Sequence, residues 1–324
     1  MCGLFGLIDY KNSLTARQKE KIIKILSAEC EVRGTDATGV AYVENGEIKI
    51  YKRPLPAHKI KFRFKSNPSV IMGHTRMTTQ GNQKFNQNNH PFYSENLKFA
   101  LAHNGVISND KKLRKSEKLP QTNIQTDSYI AVQLIENKGT LNFETLKFMA
   151  EKVKGSFCFT LLDKHNDFYI VKGNNPIAIY DFGDFYIYAS TEDILNKALK
   201  KLRIKLGYSK ITLSQGDILK LSADGSFDNG EFNTSNLELE YWLNDYYDRI
   251  YDFHKKKSCF CENENFEEEY FKSIVEYAKM IGVNEEDIEY LLSNGYDYFD
   301  IEEMLYEPDM LEQCLCEEYA ELFY

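Results

Sequence analysis

No stretch of this 324-residue chain is apolar for the ~20 residues that would span a bilayer, and no basic segment leads into a long apolar run at its start. The expectation is a cytoplasmic protein with neither signal peptide nor membrane anchor; the final ELFY is not a lipidation box. Cysteine is sparse and odd in number, with seven at positions 2, 30, 158, 259, 261, 314 and 316, which argues against a disulfide framework. Cys259/Cys261 and Cys314/Cys316 are C-x-C pairs, whereas zinc sites more commonly use C-x-x-C, so neither a metal nor a cofactor is expected. Bases are scarce in one part only. Residues 227–324 hold 27 acids and 6 bases, a net of −21, while residues 1–226 hold 22 acids and 34 bases, a net of +12. Internal repeats and long low-complexity tracts are absent.

What is present is 43% hydrophobic and 14% aromatic, enough for a full core and more than one folding unit. Residues 1–226 alternate between strand and helix patterns. CGLFGLIDY is apolar on both faces, as a strand between two layers would be. TARQKEKIIKILSAECEVR places Ile22, Ile25, Leu26 and Cys30 at helical spacing, and GVAYVENGEIKIYKR reads as a hairpin turning at Asn45-Gly46. SVIMGHT and LKFALAHNG predict further strands. DSYIAVQLIENKG and TLKFMAEKVKG predict helices ended by glycine. GSFCFTLLDK, DFYIVKGNN, PIAIYDFGD and FYIYAST predict four strands, followed by the helix EDILNKALKKL and the segments KITLSQ and GDILKLSADG. This order suits a layered α/β sandwich. Around SFDNGEFNTSN the chain becomes polar and reads as a strandless linker, 227–239; residues 240–324 read as acidic, Tyr-rich and helical.

Several short motifs carry chemistry, each with a plainer reading. Cys2 directly follows the initiator, so removal of Met1 would give one residue both a thiol and a free α-amine, a nucleophile with its own base; a small buried hydrophobe is the plainer reading. VRGTDATGVAY is a Gly-rich loop running into a strand. GHTRMTTQG ends a strand in a hydroxyl-rich loop, where Arg76 could grip a carboxylate with two parallel hydrogen bonds or make an ordinary salt bridge. NQNNHPF is a polar loop that could cover a pocket. In LAHNGVISN, an Asn amide beside a Gly backbone N–H is the donor pair an oxyanion needs, although Asn-Gly turns are common. Asp127, opening a helix, could cap it or face the ammonium of an amino acid.

In this order behind Cys2, MCGLFG, RGTDATG, GHTRMTTQG, NNHPF, HNG and TDS, followed by GSFCF and YASTEDIL, resemble the class II glutamine amidotransferases. The resemblance covers about residues 2–220 and is nearest the glutaminase halves of glucosamine-6-phosphate synthase and glutamine phosphoribosylpyrophosphate amidotransferase. It implies the four-layer αββα sandwich of the N-terminal-nucleophile hydrolases over 2–226. It implies that Cys2 attacks the side-chain amide carbon of glutamine, that Asn104 and Gly105 hold the oxyanion, that Arg76 binds the α-carboxylate and Asp127 the α-ammonium. It further implies that Arg33 orders the nucleophile, that His90 lies in the loop closing over the substrate, and that Thr79 is a second contact to glutamine. Met77 and Gln80 depart from the family pattern in the Arg loop, which puts lid contacts and coupling to an acceptor in doubt, not the core chemistry.

Family enzymes carry a second domain that uses the ammonia. Here there is no S-G-G-x-D-S loop, no D-D-x-x-x-T-G loop and no sugar-isomerase pattern. The expectation is a glutaminase component serving a separate ammonia-accepting synthase, with the acidic region as the docking element or as a cap on the basic domain. Two alternatives stay open: an N-terminal-cysteine hydrolase of another γ-glutamyl or amide compound, and an inactive scaffold whose acidic region binds protein. Neither a membrane nor nucleic acid is expected as a partner, and a homo-oligomer stays open.

Overall fold

A computed structural model describes residues 2–204, 207–235 and 237, and beyond them 271–272, 274–276, 278–279, 281–293, 296, 301, 304–305 and 311. Two compact units divide the chain, Met1–Asp245 and Tyr246–Tyr324.

The first unit is built on two antiparallel sheets. The seven-stranded sheet contains β1 (Gly3–Ile8), β2 (Ala37–Glu44), β3 (Glu47–Arg53), β4 (Val70–Arg76), β9 (Ala178–Asp181), β10 (Tyr186–Ala189) and β11 (Ser209–Ile211), in the order β11-β9-β10-β1-β4-β2-β3. The six-stranded sheet contains β5 (Phe92–Ser94), β6 (Phe99–Ile107), β7 (Gly155–Asp163), β8 (Phe168–Lys172), β12 (Asp217–Leu221) and β13 (Phe227–Glu231), in the order β13-β12-β8-β7-β6-β5. Helices α1 (Ala16–Glu29) and α5 (Glu192–Leu202) cover the first sheet; α3 (Tyr129–Lys138) and α4 (Phe143–Lys152) cover the second. A short α2 (Asp110–Ser116) follows β6.

The alternation of strand β1 explains the four layers. Phe5 and Leu7 point into the core under α1 and α5, while Leu4 and Ile8 point into the core between the sheets. All four are essentially inaccessible, and burial of each stabilises the fold by about 1.5–3 kcal/mol. Thr15 caps α1 in a capping box with Gln18. The hairpin β2–β3 turns at Asn45-Gly46, both in the left-handed region that a type I′ turn requires. The four-layer α/β sandwich expected from the sequence is therefore the fold.

Three local expectations are corrected. Residues 227–231, read as strandless linker, form β13 at the sheet edge and pair with β12. An edge strand needs no apolar alternation when its residues face solvent, and Phe227, Asp228, Asn229 and Glu231 are exposed. Helix α4 stops at Lys152 with Val153 as its cap; Gly155 opens β7 instead. α2 was not anticipated, because among its residues only Leu113 is buried and no apolar stripe exists.

In the second unit, α6 (Glu285–Ser293) buries Ile288 and Leu291, and Leu292 and Tyr296 are half-buried. Gly295 and the two C-x-C pairs lie outside the described residues. No helix among the described residues is long and apolar enough to cross a membrane.

Candidate active site

The site forms where strand ends of the two sheets meet. Cys2 sits directly ahead of β1, and β1 pairs with β4 so that Gly3 lies opposite Thr75. Arg76 closes β4, and β2 starts opposite it at Ala37. Strand β6 brings Asn104 and Gly105 from the other sheet.

Arg33 ties the two sides together. Its Nε donates to the Cys2 carbonyl at 2.7 Å and its Nη2 to Asn104 Oδ1 at 3.3 Å. The Asn104 backbone carbonyl accepts from Asn175 Nδ2 at 2.8 Å. With both oxygens of Asn104 engaged, its Nδ2 is buried and has no hydrogen-bond partner among the described residues. An unpaired buried amide costs about 1–3 kcal/mol, so this donor is held in place at the expense of stability. Gly105 has φ +148, and an ideal Cβ there would lie 1.8 Å from the Ser156 carbonyl oxygen. Only glycine can follow Asn104 at this point.

The Cys2 thiol is buried and donates to the Met77 carbonyl at 3.5 Å. Burial pushes its pKa up; the Arg76 guanidinium pulls the other way, and Asp127 adds to the rise. Arg76 and Asp127 therefore both lie within electrostatic reach of the thiol.

Arg76 is buried in a frame of oxygen acceptors. Nη1 donates to Asn89 Oδ1 at 2.7 Å, and Nη2 donates to the Gln80 carbonyl and, at 3.5 Å, to the Gly81 carbonyl. Burial lowers its pKa, opposed by Cys2, Asp36 and Asp127. Asp36 fastens the Arg loop: its N–H donates to the Arg76 carbonyl at 3.0 Å, and its Oδ2 accepts from Thr78 N at 2.8 Å.

Asp127 does not act as a simple helix cap. Its Oδ2 accepts from Ile107 N at 2.6 Å, and its Oδ1 accepts from Ser128 N at 2.8 Å. The Ser128 hydroxyl lies 3.2 Å from the same oxygen and 2.8 Å from His103 Nδ1. The carboxylate is thus bolted to the β6 strand that carries Asn104.

Two expected site residues are placed differently from this group. His90 is buried, 4.1 Å from the His74 ring and 4.4 Å from the Phe92 ring by centroid, and neither of its nitrogens has a hydrogen-bond partner among the described residues. It sits inside the packing of the loop expected to close over the substrate. Thr79 is exposed, whereas the hydroxyl of its neighbour Thr78 is buried and has no partner among the described residues. Asp36, Thr78, Ser128 and Asn175 escaped notice in the sequence. Asp36, Thr78 and Ser128 lie inside RGTDATG, GHTRMTTQG and TDS; Asn175 follows β8 at the end of DFYIVKGNN, where nothing in the sequence marks it.

Among the described residues no group of three or more His, Cys, Asp or Glu is placed to hold a metal ion.

Residues 74–197 match the glutamine amidotransferase domain family. Over 242 residues the chain is 30% identical to the glutamine–fructose-6-phosphate aminotransferase (isomerizing) of Staphylococcus aureus, a match covering 70% of this chain and 38% of that protein. The Staphylococcus epidermidis enzyme of the same name is 30% identical over 200 residues, 59% of this chain and 32% of that one. The chain thus spans under two-fifths of the length of these curated relatives. The glutamine phosphoribosylpyrophosphate amidotransferase of B. subtilis superposes with a TM-score of 0.57 at 19% identity, over 72% of this chain and 50% of that one, and shares the fold. This chain carries a glutamine amidotransferase domain of the class II, N-terminal-nucleophile type.

Proposed function

We propose that the chain hydrolyses the side-chain amide of glutamine, with Cys2 as nucleophile, and passes the ammonia to a separate acceptor. The observation that carries this reading is the Arg33 bridge, which holds the Cys2 backbone and Asn104 together while leaving Asn104 Nδ2 without a partner among the described residues. Such a donor suits charge that exists only in the transition state.

The steps follow from the residues. After removal of Met1, the Cys2 α-amine, a group that ordinarily titrates at about 7.7–8.0, takes the thiol proton. A thiol whose pKa is pushed up by burial needs such a base. The sulfur attacks the amide carbon, and Asn104 Nδ2 with the Gly105 N–H hold the oxyanion. Collapse expels ammonia, protonated by the α-ammonium, and leaves a thioester. Water, deprotonated by the same amine, releases glutamate. Arg76 holds the α-carboxylate and Asp127 the α-ammonium, with Thr79 or its neighbour Thr78 as a further contact. His90 supports the covering loop from within.

Acceptance of ammonia in trans is supported by the surface beside the site. Val32, Met77 and Val106 are exposed large apolar residues, and they neighbour Arg33, Arg76 and Gly105 in the chain. The acidic residues 240–324 are read as a docking element for that acceptor. Leu237 is buried with the α3–α4 core, so the catalytic unit is to be cut after residue 245, not within 227–239.

The test is ammonia release from glutamine by the parent and by Cys2→Ala. The variant is expected to be inactive and to resist labelling by electrophilic glutamine analogues. Hydrolysis by Cys2→Ala at the parental rate would reject the reading.

A further inference from the structure

Lys52, on β3, is a half-buried lysine with no carboxylate partner among the described residues. Its ammonium donates to the Asn89 carbonyl at 2.6 Å and to the Pro91 carbonyl at 3.0 Å, so it straddles His90. Its own carbonyl accepts from Asn86 Nδ2 at 2.8 Å. Three bonds therefore join one residue of an edge strand to the segment 86–91. The segment is pressed against the sheet: an ideal Cβ on Gly39, paired with Lys52 across β2–β3, would lie 2.2 Å from the His90 carbonyl oxygen.

That segment presents Asn89 to Arg76. Asn89 Oδ1 accepts from Arg76 Nη1, and Asn89 Nδ2 donates to the Gln83 carbonyl at 2.8 Å and to Asn86 Oδ1 at 3.3 Å. A chain of contacts thus runs from Lys52 through Asn89 to the guanidinium. Leaving an ammonium here carries a cost: burial, with Arg76 nearby, pulls the Lys52 pKa down to about 8. A solvated lysine of an edge strand would have no such constraint, and the ammonium–carbonyl bonds return part of the cost.

We propose that Lys52 is a positioning residue for substrate recognition, fixing the Asn89–Pro91 backbone so that Asn89 orients Arg76 toward the α-carboxylate of glutamine. The proposal rests on the reading of Arg76 given above. It places specificity-determining structure on β3, outside every motif in the sequence.

The experiment compares Lys52→Met, Asn89→Ala, their double variant and Arg76→Ala in glutamine hydrolysis. Binding of L-glutamate to each in a Cys2→Ala background is measured by calorimetry. Lys52→Met is expected to raise KM and the L-glutamate Kd about tenfold, the loss of a charge-assisted contact, while kcat falls less than threefold. The double variant is expected to be no worse than the weaker single, because both act along one path. If Arg76→Ala raises KM but Lys52→Met does not, the positioning role is overturned and the Arg76 reading stands. If Arg76→Ala leaves KM unchanged, both fall. Lys52→Gln, which keeps a donor, serves if Lys52→Met does not fold; failure of both to fold, or a lowered kcat and melting temperature with KM unchanged, makes Lys52 purely structural and overturns the proposal.

Discussion

The two halves of the site treat buried polar groups in opposite ways. Around Arg76, Asn89 and the Gln80 and Gly81 carbonyls supply acceptors, and Asp36 fastens the loop that follows. Around Asn104, the two oxygens are engaged while Nδ2 is left without a partner among the described residues. The Arg76 guanidinium is paired before any ligand arrives, as a rigid grip should be. The second holds back one donor. Groups that bind the ground state can be paired in advance; a group reserved for the transition state cannot, and the fold bears that cost.

The sharpest way to break this contrast is Asn104→Ala. Loss of the reserved donor is expected to lower kcat about 100–1,000-fold with little change in KM, measured by steady-state ammonia release. A purely KM effect would move Asn104 to the binding half. Next in size are Arg76→Ala and Asp127→Ala, each expected to cost about 10–150-fold in kcat/KM. Glutamine lacking its α-amine tests Asp127 further. It is expected to be a poor substrate for the parent and to lose little more with Asp127→Ala, whereas a large added loss would show that Asp127 does not read the ammonium.

A smaller effect concerns the packing behind both halves. His74, His90 and His103 are buried, and burial lowers the pKa of each, that of His74 to about 3. In the unfolded chain these histidines take up protons near ~6.5. Between about pH 6.5 and 3 the unfolded state therefore binds more protons than the folded one, and stability falls as pH falls. The slope is expected to approach about 1.4 kcal/mol per pH unit from His74, with His90 and His103 adding in the same direction, read from denaturant midpoints across that range. A flat profile between pH 6.5 and 4.5 would mean that these rings are charged in the fold.

Much of this was legible because the signal was local. The two-faced run of β1, the Asn45-Gly46 turn and the motif order needed only neighbours in sequence. What escaped was decided by distant partners. Lys52 lies in EIKIYKR, where it looks like one more solvent-facing lysine, and its carbonyl partners are Asn89 and Pro91. Asn175 meets Asn104 across 71 positions of sequence. His90 was read as part of a lid, yet a polar residue in a polar loop gives no sign that its ring will stack under it. The polar strand β13 looked like linker because an edge strand with exposed residues leaves no hydrophobic trace.

The smallest expected effect belongs to the acidic region. A chain ending at residue 245 is expected to keep glutaminase activity within about twofold and to lose capture of a basic acceptor. Capture by the full chain is expected to weaken as salt rises, since attraction between charges is screened within roughly 8–10 Å. Capture unaffected by the truncation at every salt concentration would remove the docking role.

The central claim is that the Cys2 thiol works with its own α-amine. Its most direct test is ammonia release from glutamine by two samples of the same chain, one shown by mass spectrometry to begin at Cys2 and one retaining Met1. The Cys2-initiated sample is predicted to turn over and the Met1-retaining sample to be inactive; equal turnover by the two would contradict the account.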